Sequence, residues 1–286
     1  MASVGTTLRR TVGAVSPRRR QYQRLLDSCR LDPATLAPPL RSPGVDDVII
    51  CGCPRSGTAL LTAALHQPPV MVSVMEPWDG LRLPPADLFA SLRGELAEGF
   101  LDRGRLDLDR LAVSGDVTWT REDQGRYAVD FTDETAVAVK WPTFWQYLPL
   151  LTTTRFLVCV RHPGDVVDSF RSQAGRLHHG LEYDVAFNRR INGELASVAD
   201  VDTRRLRLYD LVNSTVLDHI DRPNVHLVRY EDWHDDPVAV LEGVSAFLDR
   251  DLTTSPAKVT AATPTTDQAR RAAIVDRSTT ARALGY

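Results

Sequence analysis

The sequence has 286 residues and is poor in lysine, because only Lys140 and Lys258 among its 34 basic residues are lysines. It contains no run of about 18 apolar residues, which excludes a membrane-spanning helix. No apolar stretch of the kind found in secretory signals follows its start. The formal net charge is only −3, so the charge does not indicate a nucleic-acid or membrane binder. We therefore expect a cytoplasmic protein with no nucleic-acid partner, and the sequence indicates no oligomeric state.

Cysteine is also scarce, with four residues in the chain: Cys29, Cys51, Cys53 and Cys159. Three of them lie in apolar, strand-like runs, which is typical of buried thiols in a reducing compartment. A strand would point Cys51 and Cys53 to the same side, but no second pair of ligands is close in sequence. We therefore expect no metal.

The first 30 residues contain seven arginines and a single acid, Asp27. A segment rich in Arg and poor in acids resembles a transit peptide. A solvated tail that leads into a helix near residues 21–29 is the favoured interpretation, and a proline-rich linker follows at residues 38–44. We predict a tail, short helix and linker over residues 1–44, a main domain over 45–250 and an extension over 251–286 that packs on the same domain.

Apolar runs of strand length alternate with helical patterns along the main domain. The predicted strands are residues 47–51, 70–75, 135–140, 155–160 and 224–230. The predicted helices are residues 57–66, 87–100, 144–151, 184–198, 203–220 and 237–248, with one more that begins at Asp165, and residues 101–133 are predicted to be an irregular insertion with a short helix. This order predicts a three-layer α/β fold with a doubly wound, mostly parallel sheet, which binds ligands beyond the carboxyl ends of its strands.

The stretch VIICGCPRSGTALL, residues 48–61, indicates a strand, a glycine loop and a helix. It is similar to a phosphate-binding loop, but the Walker lysine is missing, because Thr58 follows Gly57 directly and Arg55 is the only cation. Backbone N–H groups of residues 56–59 would converge on an anion, and the guanidinium group of Arg55 matches phosphate or sulfonate oxygens. A tight turn with an exposed arginine is the alternative. A kinase would also need a strand that ends in a magnesium-binding Asp, and the nearest candidate, residues 127–130, lies in the polar insertion.

A second motif follows the predicted strand over residues 155–160. Arg161 stands at its end and Ser169 lies eight residues later, after the turn HPGDVVD. This arrangement can place a guanidinium group and a hydroxyl on a second anion beside the glycine loop. Together CPRSGTALL, VRHPGDVVDSF and VRYEDWHDDPVAVLEGVSAFL resemble sulfotransferases that use 3′-phosphoadenosine-5′-phosphosulfate (PAPS), in the order of that family, from about residue 48 to residue 248.

The resemblance implies a P-loop nucleotide-hydrolase-like fold, a catalytic domain over residues 45–250, PAPS as sulfuryl donor and 3′-phosphoadenosine-5′-phosphate (PAP) as product. It assigns the 5′-phosphosulfate to Arg55, Ser56, Gly57, Thr58 and Ala59. It assigns the 3′-phosphate to Arg161 and Ser169, and the nucleotide pocket to Tyr230. A sulfuryl group carries less charge than a phosphoryl group, and the donor has no γ-phosphate. A Walker lysine and magnesium are therefore not required.

The resemblance also indicates the catalytic base. Cytosolic branches of the family use a histidine in a K-x-H segment, but Lys140-Trp141-Pro142 contains none. Bacterial and protein-tyrosine branches use a glutamate after the second strand, and Glu76 lies at that place, 18 residues beyond Thr58. Asp79 is the alternative base. By resemblance to a K-x-P segment, Lys140 would stabilise charge on the bridging oxygen as the sulfuryl group leaves.

The acceptor is not identified by these motifs. The family implies a hydroxyl or an amine on a small molecule, a carbohydrate or a lipid. Two other functions remain open: an atypical P-loop kinase that uses ATP, and a catalytically silent nucleotide-binding module.

Overall fold

The structure is a computed structural model that describes residues 17–104, 124–252 and 267–286. The strands are β1 (Asp47–Gly52), β2 (Met71–Met75), β3 (Phe100–Gly104), β4 (Gln124–Ala128), β5 (Ala136–Lys140), β6 (Arg155–Val160) and β7 (Val225–Arg229). The α-helices are α1 (Pro17–Ser28), α2 (Thr58–Ala64), α3 (Pro85–Ala97), α4 (Pro163–Ser169), α5 (Gly175–His178), α6 (Arg189–Ala196), α7 (Val201–Leu217), α8 (Asp232–Asp235), α9 (Pro237–Leu248) and α10 (Gln268–Arg277).

Five strands form one sheet in the order β2-β5-β1-β6-β7, and every neighbouring pair is parallel. Parallel neighbours need crossover connections, which the intervening helices supply. The chain moves from β1 outward to β2, returns through β5 and then builds the other half with β6 and β7. All five carboxyl ends therefore meet at one edge of the sheet, and the predicted doubly wound fold is confirmed.

Side chains of the sheet alternate between two apolar cores. In β1, Val48 and Ile50 belong to the core that also contains Leu61 of α2 and Val244 of α9. Ile49 belongs to the other core, which also contains residues of α3 and α7. Both faces of the sheet are covered, so its strands read as continuous apolar runs rather than as alternating ones. This arrangement is the predicted three-layer architecture.

Most predicted segments differ from the structure only in their bounds: α3 ends at Ala97 rather than at residue 100, and α6 begins at Arg189 rather than at residue 184. Two segments differ in kind. The predicted helix over residues 144–151 is wrong, because the chain forms a 3₁₀ helix at Pro142–Tyr147 instead. Phe144 and Tyr147 are both buried, and residues three apart share one face of a 3₁₀ helix. The predicted irregular insertion over residues 101–133 contains the antiparallel pair β3 and β4, and its middle, residues 105–123, lies outside the described residues.

The first and last described helices pack against segments that flank the sheet. Near the start, the ring of Tyr22 on α1 lies 6.3 Å from that of Trp78. Near the end, α10 packs along α4, where Arg271 forms an ion pair of 3.3 Å with Asp165. None of the described helices is both long enough and apolar enough to cross a membrane.

Candidate functional site

Predicted site residues follow the carboxyl ends of all five strands of the sheet, along one edge. In order across the sheet they are Glu76 after β2, Lys140 at the end of β5, the Arg55 loop after β1, Arg161 after β6 and Tyr230 after β7. Backbone hydrogen bonds extend the pairing beyond the strands. The N–H of Glu76 donates to the carbonyl of Lys140 at 2.8 Å, and the N–H of Tyr230 donates to that of Val160 at 2.9 Å. The edge is therefore held in a fixed register.

The glycine loop lies against its neighbours so closely that two positions require glycine. Gly52 has φ 144°, and a Cβ there would lie 2.3 Å from the carbonyl oxygen of Cys159 in β6. Gly57 has φ 97°, and its Cβ would lie 2.4 Å from Cδ2 of Tyr230. Arg55 also has a positive φ, 75°. The loop therefore packs onto β6 and Tyr230.

Polar groups of the loop remain available for a ligand. Ser56 and Thr58 are buried, and the Oγ of Ser56 has no hydrogen-bond partner in the described part of the chain. Gly57 is the N-cap of α2 and supplies no side-chain acceptor for the N–H groups of Thr58 and Ala59. Because buried hydroxyls are nearly always hydrogen-bonded, the orphaned Ser56 Oγ indicates a missing partner.

The glycine loop and the turn after β6 meet. Arg55 Nε donates to Ser169 Oγ at 3.0 Å, and Arg161 Nη1 donates to the carbonyl oxygen of Arg55 at 3.2 Å. The guanidinium carbon of Arg161 lies 4.1 Å from the ring centroid of Tyr230, within the range of a cation–π interaction. Arg161 Nε is buried without a hydrogen-bond partner among the described residues. The structure therefore brings together both predicted anion-binding motifs.

The turn that carries Arg161 is fixed by its neighbours. His162 caps α4, since its Nδ1 accepts a hydrogen bond of 3.1 Å from the N–H of Gly164. Burial, helped by the charge of Arg271, lowers the pKa of His162 to about 4, so this side chain is neutral at pH 7. Glu231 accepts from the N–H of His162 at 2.7 Å and from the hydroxyl of Tyr286 at 3.1 Å. The turn is therefore held from both sides.

At the other end of the edge, Glu76 and Lys140 form an ion pair. The side chain of Lys140 is only 6% exposed and that of Glu76 is 24% exposed. Glu76 has φ 47°, a left-handed conformation that is uncommon for a non-glycine residue and that clusters at functional sites. Asp79, the alternative base, pairs with Arg82 at 3.1 Å.

A second glutamate, which the sequence pattern did not identify, lies near this pair. Glu182 is 3% exposed, in the segment between α5 and α6. Burial, helped by the negative charge of Glu76 and opposed by the positive charge of Lys140, raises its pKa to about 8. The surrounding sequence LEYDVAF contains no motif, and its only signal is an acid beside apolar and aromatic residues.

The four cysteines are buried and free, as predicted. Burial raises the pKa of the Cys159 thiol to about 12 and also raises those of Cys51 and Cys53. Across residues 17–104, 124–252 and 267–286 no group of three or more His, Cys, Asp or Glu is arranged to hold a metal ion. The thiols are therefore core side chains.

Comparison with known proteins gave a family and a set of similar structures. The model of the Sulfotransferase family matches residues 47–254. The sulfotransferase domain from the curacin biosynthetic pathway is 14% identical, with a TM-score of 0.44, and the alignment covers 83% of this chain and 98% of that chain. The sulfotransferase domain of the Synechococcus PCC 7002 olefin synthase is 17% identical, with a TM-score of 0.44 and coverages of 88% and 98%.

A mouse sulfotransferase complexed with PAP is also similar, with 17% identity, a TM-score of 0.39 and coverages of 88% of this chain and 67% of that chain. A search of curated proteins gave no match.

Proposed function

Because the chain belongs to the sulfotransferase family, we propose that it transfers a sulfuryl group from PAPS to a hydroxyl or amine of an acceptor. One observation carries the choice of donor. Arg55 and Ser169 are hydrogen-bonded, and Arg161 donates to the backbone of Arg55. Two anion-binding motifs at adjacent strand ends suit a nucleotide that carries anionic groups at its 3′ and 5′ positions.

The residues present fit this donor. Ser56 Oγ and Arg161 Nε are buried donors with no partner among the described residues, and each belongs to a different motif. Leaving such groups unsatisfied costs about 1–3 kcal/mol each, so anionic oxygens at both places would stabilise the site. PAPS, when bound, supplies an activated sulfuryl group whose leaving group is PAP.

The chain's own groups divide between the two ends of the donor. Arg55, Ser56 and the N–H groups of Gly57, Thr58 and Ala59 would hold the 5′-phosphosulfate. Arg161 and Ser169 would hold the 3′-phosphate, and the ring of Tyr230 would line the nucleotide pocket. The planar guanidinium groups suit this role, since they present paired donors to phosphate and sulfonate oxygens.

Proton transfer belongs to the other end of the edge. Glu76 would accept the proton of the acceptor hydroxyl or amine at its carboxylate, a role that contributes roughly 10²–10⁴ in rate. Its ion pair with Lys140 places a cation beside the proposed base. Lys140 would stabilise the negative charge that develops as PAP leaves, and burial strengthens this effect because the local dielectric is low.

The acceptor would be a small molecule, a carbohydrate or a lipid with a free hydroxyl or amine. Two other functions would have different requirements. An atypical P-loop kinase would use ATP with magnesium, and a silent module would bind nucleotide without transfer. The loop that lacks a Walker lysine argues against the kinase.

A transfer assay with labelled PAPS and a panel of acceptors tests the proposal. We expect transfer by the wild-type protein, and a loss of roughly 10² or more in kcat/KM for Arg55→Ala and for Lys140→Ala, with both variants folded. Arg41→Ala is the matched control, because Arg41 forms an exposed ion pair with Asp87 away from the site. Wild-type turnover in either site variant would contradict its assigned role.

A further inference from the structure

The backbone of Glu182 is well hydrogen-bonded, but its buried carboxyl group is not. Its backbone is held firmly: its N–H donates to Asn192 Oδ1 at 2.9 Å, and its carbonyl accepts from Asn192 Nδ2 at 3.2 Å and from Arg176 Nε at 2.8 Å. Its side chain is not, since the buried Oε1 has no hydrogen-bond partner in the part of the chain that the structure describes. A buried, orphaned carboxyl oxygen in a well-anchored segment needs an explanation.

Aromatic packing places this segment beside the proposed catalytic pair. The ring of Tyr183, next to Glu182, lies edge-on to Trp78 at 5.5 Å and to Trp141 at 6.2 Å. Trp78 lies two residues after Glu76, and Trp141 directly follows Lys140. The segment that carries Glu182 is therefore anchored next to the ends of β2 and β5.

The charged and titratable groups near Glu182 lie at the ends of β1, β2 and β5 and on α5. Burial is the main cause of its raised pKa, to which Glu76 after β2 adds, whereas Lys140 at the end of β5 lowers it. Cys53, in the loop after β1, is a buried thiol whose own pKa is raised chiefly by burial and then by Glu182. Arg176 of α5 binds the carbonyl of Glu182 through Nε, and Asn192 of α6 carries no charge.

The protonation state of Glu182 changes the negative charge in the neighbourhood of Lys140. With a pKa of about 8, Glu182 is mostly a neutral acid at pH 7, and the negative charge paired with Lys140 is then that of Glu76. Once Glu182 ionises, it adds a second negative charge in the neighbourhood of the lysine. The second carboxylate strengthens the hold on the ammonium group inside the protein, and interacting groups of this kind titrate as a set.

We propose that Glu182 is a positioning residue for sulfuryl transfer: as a neutral acid it leaves Lys140 in its ion pair with Glu76, and as an anion it retains the lysine and opposes its interaction with the departing nucleotide. The inference rests on the roles of Glu76 and Lys140 in the proposed function. On this proposal the ionisation of Glu182, which lies outside the two anion-binding motifs, lowers the activity as the pH rises.

The test is the pH dependence of kcat/KM from about pH 6 to about pH 10 for the wild type and Glu182→Gln. The amide imitates the neutral acid, so the variant should keep the neutral-pH rate within about threefold. The wild type should lose activity with a midpoint near the pKa of about 8, and the variant should lack this alkaline limb. Asp184→Asn is the matched control, because Asp184 lies in the same segment with a side chain that is 77% exposed.

An unchanged alkaline limb in Glu182→Gln would overturn the inference. Infrared spectroscopy gives a second readout that needs neither turnover nor the variant's folding. The wild type should show a protonated carboxyl band at pH 7 that disappears near pH 8 to 9, since the pKa is about 8. Absence of that band at neutral pH contradicts the inference whatever the transfer assay gives. Absence of transfer by a wild type that retains the band contradicts the proposed function instead.

Discussion

At the scale of single residues, Glu76 is held in an unfavourable backbone conformation. Its φ of 47° lies in the left-handed region, where a non-glycine residue costs of order 1–3 kcal/mol. Its backbone N–H is bonded to the Lys140 carbonyl, and its carboxylate pairs with the same lysine. The strain therefore serves to point the carboxylate at the end of β5, where the proposed transfer takes place.

The proposed base makes a direct prediction. Glu76→Gln should bind PAP as the wild type does, because the donor residues lie on other strands. Its turnover should fall roughly 10²–10⁴-fold, since the amide cannot accept the proton. Calorimetry with PAP and single-turnover transfer measure the two quantities separately.

Asp79→Asn is the control for this prediction, because Asp79 is the alternative base and forms an ion pair with Arg82. It should turn over at the wild-type rate. The reverse outcome, a slow Asp79→Asn and a normal Glu76→Gln, would make Asp79 the base.

Single residues also show where the sequence is informative and where it is not. The contact between Arg55 and Ser169 spans 114 positions, yet both residues belong to motifs whose order predicted that they would meet. Glu182 belongs to no motif. It lies in a segment whose Tyr183 packs against two tryptophans from distant parts of the chain, and no local pattern encodes these contacts. The catalytic assignments themselves stay predictions.

At the scale of elements, β1 and β6 set the geometry of the glycine loop. Gly52 pairs with Cys159 in the parallel ladder, and the backbone of β6 occupies the place that a Cβ would need. Any side chain at this position would separate the two strand ends that carry the anion-binding motifs. The glycine is thus required by packing as well as by backbone conformation.

Gly52→Ala should lower the free energy of unfolding by at least about 2 kcal/mol, because its Cβ would lie 2.3 Å from a backbone oxygen. Gly94→Ala is the matched control, since Gly94 lies inside α3 with no atom within 4 Å of the added Cβ. That substitution should stabilise the protein by about 0.5–1 kcal/mol. Urea unfolding of both variants gives the comparison, and equal stabilities would contradict the packing argument.

Elements buried on both faces were the most predictable ones. β1, β5 and β6 are continuous apolar runs, and the predicted and observed bounds differ by one residue at most. Polar strands and short turns were not predictable in the same way. β3 and β4 carry glycine and charged residues, and the helical aromatic spacing of residues 144–151 suits a 3₁₀ turn equally well.

At the scale of the whole molecule, the last described segment, residues 267–286, closes over the turn that carries Arg161. Asp210 of α7 accepts hydrogen bonds from Ser278 Oγ at 2.6 Å and from Thr280 Oγ1 at 2.9 Å. Tyr286 binds Glu231, which in turn binds the backbone of His162. The division into residues 1–44, 45–250 and 251–286 stays a prediction, and we propose that the last part supports the site through these contacts.

His162 makes the stability of this arrangement depend on pH. Its pKa is lowered from an ordinary value of 6.5 to about 4, so the unfolded chain takes up a proton first as pH falls. The stabilisation is therefore fully present above about pH 6.5 and declines toward pH 4. His162→Asn keeps an N-cap acceptor and removes the titration, so its unfolding free energy should fall less over that range. If the free energy of unfolding fell equally steeply with pH in the variant and in the wild type, this account would be contradicted.

The central claim is that the loop after β1 and the turn after β6 together bind one nucleotide with anions at both ends. Titration calorimetry with PAP tests it most directly. Without added metal, the wild type should bind PAP with a Kd on the order of 1 μM. Arg161→Ala should weaken the binding of PAP at least about tenfold and leave the binding of adenosine 5′-phosphate unchanged. No binding of PAP at millimolar concentration, or tighter binding of ATP with magnesium than of PAP, would contradict the claim.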